Sequence, residues 1–171
     1  VTLPELACTD VDYHPDGSAR TAALLFGNWS DAREARAILH TSPQVAAYQP
    51  RAFYLRELPC LLAALEPLAD QLEVVIIDGY VTLDAAGRPG LGWHLFRALG
   101  QRVAVIGVAK TAFQGSAHAL PVERGQSQRP LFVTAAGLEP AQAASFIRQM
   151  AGPHRLPTLL KRVDQACRAA P

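Results

Sequence analysis

Short, nearly unbroken apolar runs alternate along the chain with polar segments rich in Gly, Pro and Asp. "EVVIIDG" (73–79) and "VAVIGVAK" (103–110) are the clearest runs. Each is short, β-branched and closed by turn chemistry, which predicts strands covered on both faces. "GLGWHLFRALG" (90–100) between them predicts a short helix closed by Gly100. Two buried strands joined through a helix predict parallel neighbours. Upstream, "LACTDVDY" (6–13) alternates as a strand, and "HPDG" (14–17) is a turn signal leading back through "RTAALLFG" (20–27). "EARAILH" (34–40) reads as a third strand, although its composition also suits a helix. "YQPRAFYLRE" (48–57) reads as a loop, and Pro59 fits the first turn of a helix running through Ala69. "RPLFVTA" (129–135) is a further strand. "EPAQAASFIRQMAG" (139–152) and "LPTLLKRVDQACRAA" (156–170) are helices, the first with Pro140 near its start and Gly152 just past its end.

This order is a β-meander, then helix–strand–helix–strand, then a strand and two helices. It predicts an α/β fold with a mixed central sheet of about five or six strands flanked by helices. A three-strand meander followed by alternating α/β units is the order of a ribonuclease H-like fold. The 171 residues suit one such domain, spanning 1–171.

Half of the residues are hydrophobic and 18% are charged, which excludes a disordered chain. No apolar run is long enough to span a bilayer, and no signal peptide is visible at the start. Cys8, Cys60 and Cys167 are odd in number and lack metal-type spacing. They read as buried free thiols in a reducing compartment, so the expected location is cytoplasmic. The net charge of +1 hides a division: residues 1–87 carry −7 and residues 88–171 carry +8. The basic half suits a polyanion and the acidic half suits cations, although two halves attracting each other in one fold would give the same pattern. With 14 Arg and only 2 Lys, Lys110 is an unusual choice.

The carboxylates acquire meaning from the expected topology. Asp10 lies in the first strand and Asp78 ends the strand after the first long helix. In a ribonuclease H-like sheet those strands are central neighbours. Glu57, just before Pro59, sits at the N-terminus of the intervening helix, where the dipole favours an anion. Asp164 lies in the last helix, which can pack back over the same edge. Crowded carboxylates repel one another unless something cationic joins them. An oxygen-only set favours Mg²⁺ or Mn²⁺. Such a cluster suits phosphodiester hydrolysis. Lys110 ends the neighbouring strand, where its ammonium would neutralise phosphate charge or orient water. Taken singly, each also has a plainer reading: Asp10 and Asp164 as solvated residues, Asp78 as a turn residue, Glu57 as an acidic residue at a helix N-terminus and Lys110 as an exposed strand end.

With these residues in view, the chain resembles the endonuclease V family, the deoxyinosine-directed nucleases. "DVDY" (10–13) is similar to that family's D-V-S-Y strand. "AYQPRAFYLRELPCLLAAL" (47–65) is similar to its P-Y-x-P wedge followed by F-R-E-x-P and a leucine-rich helix, with the same nine-residue step from Tyr48 to Glu57. "VVIIDG" with "IGVAK" is similar to its strand–D-G and G-V-A-K pair. "RPLFVTAAG" and "HRLPTLLKRVDQACR" are similar to its P-L-Y-V-S and R-L-P-x-x-x-R-x-A-D segments. The resemblance implies Asp10, Glu57 and Asp78 as metal-binding catalytic carboxylates, Lys110 as the active-site lysine and Asp164 as an outer carboxylate on a Mg²⁺ (or Mn²⁺) site. It implies Tyr48 and Pro50 as a wedge entering the duplex, with Tyr80 and Arg88 also on the nucleic acid. The implied substrate is DNA or RNA containing inosine, cut at a phosphodiester bond 3′ to it, with no membrane and no protein partner. The chain departs from the family after Asp-Gly, where H-G-x-x-H-P-R-R becomes Tyr80, Val81, Thr82, Leu83, Asp84 and "AAGRP". It departs again where S-P-G-H becomes "TAAG", ending at Gly137. Asp84 reads first as a solvated loop residue, with a replacement ligand as the alternative. The lost histidines keep two alternatives open: a nucleic-acid-binding module with weak or no cleavage, and a nuclease for another DNA or RNA structure.

Overall fold

The structure is a computed structural model that describes residues 5–50, 52 and 54–169. Arg51 and Phe53 of the 48–57 segment, and Ala170 of the final helix segment, lie outside the described residues.

The meander forms as the alternation predicts. Strands β1 (Leu6–Tyr13), β2 (Ala19–Phe26) and β3 (Arg36–Ser42) are successive antiparallel neighbours. Tertiary pairing thus settles the 34–40 segment as strand rather than helix, from Arg36 onward. Strands β4 (Val74–Asp78) and β5 (Ala104–Ala109) are parallel to each other, and β4 is parallel to β1. Helix α2 (Leu91–Ala98) makes the crossover between them. Strand β7 (Leu131–Ala136) runs antiparallel to β5. A three-residue edge strand, β6 (Leu120–Val122), was not expected from the sequence; it contains Pro121, which an edge tolerates because one side needs no donor. The sheet therefore has seven strands, ordered β3-β2-β1-β4-β5-β7-β6, rather than five or six.

Helix α1 (Tyr54–Leu65) begins several residues earlier than Pro59 suggested and continues as a 3₁₀ turn over Glu66–Gln71. Pro59 lies inside it and is exposed; its missing N–H forfeits one early rung, and the buried stripe of Cys60, Leu61, Ala64 and Leu65 holds the helix regardless. Helices α3 (Pro140–Gln149) and α4 (Thr158–Arg168) complete the chain order. Among the described residues, no helix is long and apolar enough to cross a membrane.

Strand alternation divides the core into two layers. Val75, Ile77 and Val105 face α1 and α2, packed with Leu61, Leu65 and Leu95. Val74, Ile76, Ile106 and Val108 face α3 and α4, packed with Ile147, Leu159 and Val163. All three cysteines are free and buried.

Candidate active site

The same alternation builds the site. Leu6 and Cys8 face the α4 layer, so Asp10 does also. Val74 and Ile76 face it, so Asp78 does also; Ile106 and Val108 face it, so Lys110 does also. Cys8 pairs with Ile76, and Asp78 pairs with Val108. Three adjacent strands therefore deliver Asp10, Asp78 and Lys110 to one face at one sheet edge. The three line a single cavity roofed by Leu156, Leu160 and Val163. Gly79 makes the turn after Asp78 possible, since its φ is +129°. The turn then folds back across β5, where a Cβ on Gly107 would lie 2.5 Å from the Gly79 carbonyl oxygen. Thr134 completes the turn by accepting the Val81 N–H at 2.8 Å.

Asp164 comes down from α4 onto Asp10. Their carboxylate oxygens and the Cys167 thiol lie within 4.8 Å of one another. Burial raises the Asp10 pKa to about 7; its bond from the Val11 N–H at 2.9 Å opposes that rise, while Asp78 and Asp164 add to it. Of the two, Asp10 is therefore the weaker acid. Arg168 holds Asp164 low, donating to it at 2.7 Å. Glu57 reaches the cluster from α1, on the other face of the sheet. It lies in the first turn of α1 rather than just ahead of the helix. Burial, then Asp78 and Asp10, push it up to about 8. Burial also raises Asp78, and Lys110 pulls it back down. Asp10 thus lies with Asp164 on one side and shares a cavity with Asp78 and Lys110, while Glu57 lies within electrostatic reach of Asp10 and Asp78 from the other face.

The remaining candidates lie outside that cluster. Tyr48 is 63% exposed on the segment between β3 and α1, and Pro50 is exposed beside it. Tyr80 and Arg88 line a neighbouring open pocket with Tyr54, His94 and Phe113. The Tyr80 hydroxyl donates to the Thr111 carbonyl at 2.7 Å, and its ring meets Phe113 edge-on. His94 stacks on Tyr54 with ring centroids 3.8 Å apart, and burial lowers its pKa. Asp84 does not act as a replacement ligand here. Its carboxylate accepts the Arg88 N–H at 3.1 Å and pairs with the Arg88 side chain at 3.7 Å, closing its own turn. Gly137 is at the wrong end of the sheet to stand for a missing ligand. It follows Ala136, which pairs with Val105 near the start of β5, and it packs on Phe96 and Ala104. Sequence reasoning passed over Cys167, although its three-residue step from Asp164 sets it on the same helix face. Burial pushes that thiol up to about 12, with the nearby carboxylates adding to the shift.

This geometry agrees with relationships to known proteins. A family model described as Endonuclease V matches residues 3–148, most of the chain. The chain belongs to the endonuclease V family. Endonuclease V of Nostoc punctiforme is 28% identical over 123 residues, covering 72% of this chain and 54% of the relative. The chain thus spans about half the length of the curated relative it matches. Human ENDOV superposes with a TM-score of 0.78 at 19% identity, covering 97% of this chain and 83% of that one. Endonuclease V of Ciona intestinalis, solved with a 24mer DNA containing an inosine followed by a ribo-adenosine, gives 0.78 at 16% identity over 97% and 85% of the chains. The Bacillus subtilis protein gives 0.76 at 17% identity over 95% and 78%. These likenesses establish the ribonuclease H-like fold of endonuclease V.

A divalent cation fits the donor set. Asp10, Glu57 and Asp78 are acids driven toward their neutral forms by burial and mutual repulsion, and a bound 2+ charge relieves both costs. Asp10 and Asp164 offer hard oxygens beside the Cys167 thiol, Asp78 shares the cavity of Asp10, and Glu57 is in reach of the same field, a donor set suited to a divalent cation.

Proposed function

We propose that this protein is a Mg²⁺- or Mn²⁺-dependent endonuclease that hydrolyses a phosphodiester bond 3′ to inosine in DNA or RNA, with residues 1–171 as one catalytic domain. The observation that carries the reading is the delivery of Asp10, Asp78 and Lys110 to one face by three adjacent strands, with Glu57 and Asp164 arriving from α1 and α4. A bare binding surface needs no buried, mutually repelling acids.

Asp10 and Asp78 would hold the cation, and Asp164 would support it from outside. When bound, the cation supplies Lewis-acid charge and acidifies water. Glu57, whose proton is held up to about 8 by burial and its acidic neighbours, is poised to accept a proton from water once that field is neutralised, or to serve as a further ligand. Lys110 would stabilise charge on the phosphoryl oxygens. The pocket of Tyr54, Tyr80, Arg88 and Phe113 offers aromatic faces to an extruded base, and an inosine mispair is cheaper to extrude than a matched pair. Tyr48 and Pro50, exposed ahead of α1, would fill the vacated stack.

The test is cleavage of end-labelled DNA and RNA oligonucleotides, with and without one inosine, in Mg²⁺ and in Mn²⁺. Wild type is run beside Asp78→Asn. Cutting 3′ to inosine that vanishes in the variant supports the reading. Tight binding with no cutting in any combination would replace it with a nucleic-acid-binding module.

A further inference from the structure

Lys110 lies just beyond the last rung of its strand. The β5–β7 ladder ends at Ala109 paired with Phe132 and the β4–β5 ladder at Val108 paired with Asp78, so among the described residues both ladders stop short of the residue that carries the ammonium. Strand ends held by so little fray readily. Two arginines outside the carboxylate cluster bear on this point.

Arg124, in the connection between β6 and β7, is only 6% exposed. Its guanidinium donates to main-chain carbonyls of the α3–α4 connection: Met150 at 2.5 Å, His154 at 2.7 Å, Gly152 at 3.1 Å and Arg155 at 3.4 Å. A buried guanidinium is costly unless its N–H groups find acceptors, so these bonds fix the connection firmly against the sheet. From that anchored segment Arg155 reaches back. Its Nη2 donates to the Lys110 carbonyl at 2.5 Å and to the Pro130 carbonyl at 2.9 Å, and its Nε donates to the Arg129 carbonyl at 2.9 Å. Pro130 directly precedes β7. One planar fork therefore ties the outgoing end of β5 to the incoming end of β7, beyond the point where the ladder stops.

We propose that Arg155 is a positioning residue, held by Arg124, that supplies the missing rung and keeps Lys110 over the carboxylates. The proposal rests on the nuclease reading above for the role of Lys110. A small displacement of a charge-stabilising group costs rate rather than substrate binding. Arginine suits the task because its donors lie in a rigid plane, which a lysine ammonium does not reproduce.

The experiment uses the full chain with Arg155→Ala, Arg155→Lys, Lys110→Ala and the Arg155→Ala/Lys110→Ala double variant. Arg155→Ala is expected to lower kcat about 10- to 100-fold with KM nearly unchanged. Arg155→Lys recovers little, and added ethylguanidinium restores part of the Arg155→Ala rate. In the Lys110→Ala background the second substitution costs less than about threefold, because the two act as one unit. Amide exchange quickens at Ala109 and Phe132, the last rung of the β5–β7 ladder, in Arg155→Ala while β4 stays protected and the melting temperature stays near wild type. A fully multiplicative loss in the double variant, or unchanged exchange at Ala109 and Phe132, overturns the proposal. Should wild type cut no inosine substrate, the nuclease reading falls by itself. Exchange at that rung then decides the tether: quickened in Arg155→Ala it stands, unchanged it falls.

Discussion

Two acidic groups beside α4 are treated in opposite ways. At the end of the sheet where β2 turns toward β3, Glu34 meets Arg162 of α4 in a two-point pair, at 2.7 and 2.9 Å. Those bonds hold the Glu34 pKa below its ordinary value. At the other end, Asp10 and Glu57 are raised to about 7 and about 8 by burial and by neighbouring acids. The first site has supplied its own cation, in a geometry where a guanidinium matches a carboxylate. The second has gathered acids beyond what Lys110 and Arg168 neutralise, which is the charge a cation would balance under the proposed function. In one fold, satisfied charge marks structure and unsatisfied charge marks function.

The largest expected effect is at the incomplete site. Asp78→Asn should reduce cleavage by about 10³-fold or more, measured as single-turnover rate at saturating Mg²⁺. The same substitution should raise the cation-free melting temperature near pH 8, because it removes one of the repelling charges. A fall in that temperature would break the contrast between the two ends. Lys110→Ala should cost about 10²-fold in kcat, with the loss not recovered by more Mg²⁺. Titration of cation-free protein sharpens the comparison further. Asp10 and Glu57 bind protons more tightly folded than unfolded. Stability should therefore be greatest while both stay protonated, and should decline as pH rises from their ordinary range toward pH 8. Mn²⁺ should abolish that decline, read as melting temperature from pH 5 to 9. The smallest effect belongs to the satisfied pair. Glu34→Gln should cost about 1 kcal/mol, leave cleavage unchanged, and leave the pH 6–9 stability slope intact. Since the Glu34 pKa is lowered, its contribution is present above its ordinary pKa and is lost as pH falls below it.

Much of the site was legible before any coordinates. Period-two alternation and the parallel pairing of two buried strands already imply that Asp78 and Lys110 share a face. The meander order adds Asp10 to the same edge. The start of α1 was less legible, because Pro59 is a strong local signal and the buried stripe that extends the helix past it depends on packing against the sheet. Asp84 was legible only as a short polar residue in a turn. Its pairing with Arg88 decides that it closes the turn instead of joining the acids.

Sequence alone determined six of the seven strands, their order with the helices, and the family resemblance. Each of these follows from periodicity or from short spacing, which are local properties of the chain. Only the tertiary structure decided that Asp10 lies against Asp164, that Cys167 lies beside them, and that Gly137 is at the far end of the sheet. Only it joined Arg155 to the carbonyl of Lys110, 45 residues away. A side chain's partners are chosen by segments distant in sequence, and its charge state follows from the burial and fields those segments create.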